Sequence, residues 1–185
     1  TILDDKEILK RAQSVTKNYD NFTLAADDWF QRKQGTLYDV KKKLYLAMMN
    51  VNILEGLRFY VSFACTFSFA ESKNMEGSAK IVSLVARDEA THLNLSTHVL
   101  KNWIKGNDDP DFKKIAIECE EEIYDMWRAC VDEEKAWANH LFKDGAIIGL
   151  NEELLHHYVE FIANKRLKAL GYKTIYDRPL NNNPL

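Results

Sequence analysis

Three side chains carry the chemistry this sequence can offer. Glu89 and His92 stand three apart in SAKIVSLVARDEATHLNLSTHVL. On a helix that spacing projects both from one face about one turn apart, so a carboxylate oxygen and an imidazole nitrogen can reach the same ion. Glu55 lies near the middle of YLAMMNVNILEGLRFYVSFACTFSFA, residues 45 to 70, whose only charges are Glu55 and Arg58. A carboxylate in so apolar a helix loses hydration and needs compensation.

Three arrangements could supply it. A membrane span is the first, because about 20 apolar residues suffice and Lys41, Lys42 and Lys43 flank the run. Asn50, Asn52, Glu55, Arg58 and Ser62 oppose it, since a central charge costs roughly 2.5 to 3.5 kcal/mol on insertion scales. An ion pair between Glu55 and Arg58 at i, i+3 is the second, and on this stretch alone it is the simplest. A metal ligand is the third, in which a cation replaces the lost hydration.

The metal reading needs partners, and the stripe of Glu89 and His92 offers them. Helical dimetal centres take one Glu from each of two helices and a Glu-x-x-His from each of two others. Glu55, Glu89 and His92 are half of that set. A second Glu-x-x-His, Glu153 to His156, follows Asn151 so closely that helix capping and dipole compensation explain its acid. His98 and His140 lie among polar neighbours and read as surface residues. The acidic run from Glu120 to Asp125 reads as a solvated face.

Those residues must be positioned by helices. Gly totals 7 and Pro 3 in 185 residues, and apolar positions recur at helical spacing over long windows. The pattern predicts helices from about Asp4 to Gln34, Tyr38 to Ser72, Asn74 to Lys105, Pro110 to Lys143 and Asn151 to Leu170. Asp109 and Asn151 are the expected N-caps, and Gly35, Gly106 and Gly171 the stops. Long helices joined by short turns predict an all-α antiparallel bundle, with one helical domain over residues 1–171 and an irregular segment over 172–185.

The formal charge of −3, spread without a basic block, gives no support for a nucleic-acid or membrane-surface partner. Cys65, Cys119 and Cys130 are too few and too far apart for a disulfide framework or a CxxC site, which fits a cytoplasmic compartment. No secretory signal pattern opens the chain. A start already in helical rhythm, without an initiator Met, reads as an excised or split portion of something longer.

MMNVNILEGLRFYVSFACTFSFAES followed by MEGSAKIVSLVARDEATHLNLSTH resembles the radical-generating small subunit of class I ribonucleotide reductase, close to the bacterial and phage type Ia branch. The likeness continues through the AspAspPro turn, LFKDGAIIGLN and YVEFIANKR. It implies a ferritin-like helical bundle, present here in part. It also implies that Glu55, Glu89 and His92 ligate a dinuclear iron site, manganese being possible with the same donors. Asp88 matches the acid beside the ligands on the family's radical-transfer route. Phe59, Phe63, Val82 and Val85 match the walls of the apolar pocket around a tyrosyl radical, although ordinary core packing explains apolar residues there equally well. Ser62 lies where the family's helix is often distorted, so a π-bulge is expected nearby.

The family's other ligands, an Asp and an earlier ExxH, have no matching position, nor do its radical tyrosine and its C-terminal docking tail. The resemblance therefore implies partnership with an N-terminal half carrying those groups, with the reductase large subunit, and with a second small subunit in a dimer. The function implied is generation of the radical that drives deoxyribonucleotide synthesis, with the isolated chain inactive. A relic without activity, another ferritin-like dimetal oxidase and a non-catalytic helical interaction module are the alternatives.

Overall fold

The computed structural model describes residues 5–185. The expected helix start near Asp4 lies outside them. Asp5 caps α1 (Lys6–Phe30), its carboxylate accepting from the backbone N–H groups of Glu7 at 3.0 Å and Ile8 at 3.3 Å. The helix ends before the expected Gln34, and the chain turns through left-handed Lys33 (φ 55°) and Gly35 (φ 75°). Thr36 and Asp39 then cap α2 (Leu37–Ile53) reciprocally: Thr36 Oγ1 accepts from Asp39 N–H at 3.1 Å and Asp39 Oδ2 from Thr36 N–H at 3.1 Å.

The long helix expected over residues 38–72 is interrupted. α2 passes into a π-helical turn, Leu54–Arg58, before α3 (Tyr60–Glu71) resumes ordinary pitch. α4 follows (Glu76–Lys105), stopped by left-handed Gly106 at φ 75°. The helix expected over residues 110–143 is two. In α5 (Pro110–Glu118), Asp109 Oδ1 accepts from Asp111 N–H at 2.9 Å while its other oxygen pairs with Lys41 at 2.6 Å. The Lys41 ammonium is the main reason the Asp109 carboxyl titrates below its ordinary value.

At Cys119 the ladder tightens, its N–H reaching both Ile115 O and Ile117 O, and α6 (Glu120–Leu141) begins afresh. Glu120, Glu121 and Glu122 thus fill a first turn, where acids favour the helix dipole. α7 (Glu152–Leu170) is capped by Asn151, whose Oδ1 accepts from Leu154 N–H at 2.8 Å, and ends at left-handed Gly171.

The chain groups into two compact units, residues 1–52 with 96–126, and 53–95 with 127–185. In the first, the rings of Trp103 and Phe112 stack at 4.2 Å with Tyr45 beside both, above buried Met49, Leu100, Ile115 and Ile123. In the second, Leu57, Val61, Trp127, Val131, Leu155, Val159 and Leu167 form the core. Residues after Gly171 form no regular element, yet fully buried Asn164 tethers them. Its Nδ2 donates to Tyr176 O at 2.8 Å, and its Oδ1 accepts from the N–H groups of Ile175 and Tyr176 at 3.0 and 3.1 Å.

No strand forms among the described residues, and Cys65, Cys119 and Cys130 are free thiols. One helical run, Leu37–Glu71, is long and apolar enough to cross a membrane by length and composition. Its polar side chains behave as those of a bundle core instead. Asn50 donates to Val15 O, Asn52 to the hydroxyls of Ser96 and Thr97, and Arg58 to Glu133.

Candidate metal centre

The π-helical turn and α4 bring Glu55, Glu89 and His92 together. His92 Nδ1 lies 3.4 Å from Glu89 Oε2 and 3.6 Å from Glu55 Oε2. One ligand atom from each of the three falls within 4.8 Å of the others, an arrangement no other His, Cys, Asp and Glu group matches among the described residues. The two carboxylates are nearly enclosed, at 16% and 17% side-chain exposure, whereas the imidazole is 59% exposed. The cluster is walled on the carboxylate side and open beyond His92.

The sequence left Glu55 a choice of partners, and Arg58 is not the one it has. The Arg58 guanidinium donates to Glu133 Oε2 on α6 at 2.6 Å. Glu55 Oε2 is buried and accepts no hydrogen bond. Burial, then the hydrogen bond and charge of Glu89, push the Glu55 carboxyl up to about 7, against the opposing pull of His92. The Glu89 carboxylate in turn raises the His92 imidazole above its ordinary value. Two acids forced together with an orphaned buried oxygen, beside an imidazole, are the electrostatics that a divalent cation relieves. The donor set suits iron or manganese.

The distortion expected near Ser62 sits earlier and contains Glu55 itself. Gly56 within it packs closely against α4 and α7. A Cβ there would stand 3.0 Å from Leu93 Cδ1 on α4 and 3.5 Å from Arg166 Cγ on α7. Arg166 also donates to Gly56 O at 3.3 Å and to the Tyr60 hydroxyl at 2.7 Å. Glu133, Arg166 and Tyr60 escaped sequence reasoning because their pairings with this turn depend on tertiary approach. Gly56, a helix-breaking residue beside a candidate ligand, was the one local signal.

The remaining sequence candidates are placed as follows. Phe59 and Phe63 pack with ring centroids 6.0 Å apart. Val82 is half-buried and Val85 is 43% exposed. Of these four, only Phe63 lines the open apolar cavity of about 500 Å³ bordered by Tyr60, Phe67, Leu150 and Tyr158. Asp88 is exposed on α4, next to Glu89. His98 is exposed, whereas His140 is half-buried and stacks on Trp137 at 5.3 Å. His156 Nε2 lies 2.9 Å from Asn139 Oδ1, and Glu153 is exposed in the first turn of α7.

The model of the ribonucleotide reductase small chain matches residues 1–184. The chain belongs to that family. Its relatives include the ribonucleoside-diphosphate reductase subunit beta of Haemophilus influenzae, 46% identical over 181 residues and covering 92% of this chain. The ribonucleoside-diphosphate reductase 1 subunit beta of Salmonella typhimurium is 45% identical over the same share. Among solved structures, a ribonucleotide reductase subunit from Clostridium botulinum superposes with a TM-score of 0.78 at 29% identity. That alignment covers 97% of this chain and 51% of the other. The fold is therefore the ferritin-like helical fold of the reductase small chain. The chain spans about half the length of these relatives, 48% of each of the two sequences.

Proposed function

We propose that this small-chain protein contributes one half of a dimetal centre, with Glu55, Glu89 and His92 as ligands and iron as the resident metal. Manganese is the alternative that the same donors accept. The observation that carries the reading is the buried, unpartnered Glu55 oxygen beside Glu89 and His92, left without Arg58. Three ligands with an exposed imidazole make an incomplete set. The complementary Asp, the second Glu-x-x-His and the radical tyrosine come from an N-terminal half of the small subunit.

When bound, the diiron group supplies the one-electron oxidation of a tyrosine with O₂ as oxidant, the radical then serving ribonucleotide reduction in a large subunit. The residues here have narrower tasks. Glu55, its carboxyl pushed up to about 7 by burial beside Glu89, releases its proton when a cation takes its place. Asp88, one residue before Glu89, orients the ligand face and serves the proton-coupled radical route. Phe59, Phe63, Val82 and Val85 form one side of a dry radical pocket that the complementary half closes. A dimer of small subunits in the cytoplasm completes the proposal.

Iron titration of the chain copurified with an N-terminal half from a relative tests it. About two irons per assembled unit and a tyrosyl signal by electron paramagnetic resonance after O₂ exposure are expected. Glu89→Ala or His92→Ala abolishes both. An assembled pair that binds no metal overturns the reading, and metal without a radical redirects it to another dimetal oxidase.

A further inference from the structure

Arg166 lies on α7, 110 residues from the π-helical turn, and brackets it. Its Nε donates to Gly56 O at 3.3 Å inside the turn, and its Nη2 donates to the Tyr60 hydroxyl at 2.7 Å just beyond it. The aliphatic stem passes 3.5 Å from where a Gly56 Cβ would stand, an ordinary packing contact. At the end of the same turn Arg58 is fixed to Glu133 on α6.

A π turn bonds i to i+5 rather than i to i+4, and the change of ladder disturbs the regular pairing of its carbonyls. A forked cation that catches one such carbonyl and a hydroxyl four residues along favours the π register over the α register. Relaxation to α pitch would turn one flank against the other by roughly 100°, one residue's share of a helical turn. Glu55 stands inside the segment that would turn.

We propose that Arg166 is a positioning residue for the metal centre: by holding Gly56 O and the Tyr60 hydroxyl it keeps the Leu54–Arg58 turn in π register and Glu55 facing Glu89 and His92. The inference rests on the metal reading of those three residues. It favours the planar fork of an arginine, whose donors point in fixed directions from one rigid group, over the freely rotating donors of an ammonium.

The test uses the chain copurified with an N-terminal half from a relative, with cobalt(II) as probe, read by visible absorption, together with hydrogen exchange over residues 54–60 and far-ultraviolet circular dichroism. Arg166→Gln is expected to bind cobalt at least about tenfold more weakly, as loss of a ligand-orienting group does. Its absorption envelope should change and its 54–60 amides should exchange at least tenfold faster, with helicity retained. Arg166→Lys falls between wild type and Arg166→Gln. Tyr60→Phe, which removes one hydroxyl and leaves the Gly56 contact, shows a smaller loss in the same direction.

Glu89→Ala separates the two levels of inference. Wild-type chain binding cobalt no more tightly than Glu89→Ala overturns the metal reading and this proposal with it. Tight wild-type binding with Arg166→Gln unchanged in affinity, spectrum and exchange overturns the positioning role alone. Should Arg166→Gln lose its helical signal, wild-type affinity in Tyr60→Phe overturns the proposal.

Discussion

Arg58 and Glu133, 75 residues apart, close a 2.6 Å ion pair in which the guanidinium is 8% and the carboxylate 23% exposed. Both groups make further contacts, yet removing one partner of so enclosed a pair leaves the other charge poorly compensated. Arg58→Met is expected to cost roughly 3 kcal/mol, the low end for a broken buried pair because Glu133 keeps some solvent. Adding Glu133→Leu recovers a large part, so urea midpoints of the two single variants and the double variant show a positive coupling. Metal binding at Glu55 persists in the double variant.

Gly56→Ala sets two effects against each other. Ala gains about 1 kcal/mol of helix propensity over Gly, but its Cβ would meet Leu93 Cδ1 at 3.0 Å in a buried place, and overpacking of that kind costs about 1 to 3 kcal/mol. A net loss near 1 kcal/mol is expected. Leu93→Val withdraws the obstructing methyl, so the double variant should be less destabilised than the sum of the singles, read from thermal midpoints.

Glu160 gives the stability a predictable response to acid. Burial pushes its carboxyl up, but hydrogen bonds from Lys135 and Arg178, each at 2.7 Å, outweigh it and hold the group below its ordinary value of 4.5. A lowered folded value means the contribution is complete above about pH 4.5 and fades as pH falls through the folded value. Urea midpoints measured from pH 6 to pH 3 should drop less steeply in Glu160→Gln than in wild type.

Asn164→Ala removes the partners of three backbone groups in the Ile175 and Tyr176 region. About 2 kcal/mol of stability should go with them. Because the segment after Gly171 has no ladder of its own, limited proteolysis should cut residues 172–185 faster in the variant while α7 stays protected.

The helix ends were readable because caps are local. Asp109 before Pro110, Asn151 before two acids and Gly171 after a basic turn each act within four residues. Glu89 and His92 were readable for the same reason, since i, i+3 spacing on one helix needs no knowledge of its neighbours. Glu55 joined them only through the pattern shared with a family. What periodicity could not supply was the break at Cys119, the placement of the π turn at Glu55 instead of Ser62, and the diversion of Arg58 to Glu133. The last two involve groups 75 and 110 residues away.

The π turn also fixes a count. It is an α-helix carrying one residue more than its pitch accommodates. Deleting any one residue of LeuGluGlyLeuArg would leave an ordinary helix with better local propensity, especially if the lost residue were Gly56. Deletion of Gly56 would leave both flanks in register, since the extra residue and the wider turn offset each other, yet Glu55 would lose the π turn that carries it. The candidate site is thus written in the length of this five-residue segment as much as in its side chains.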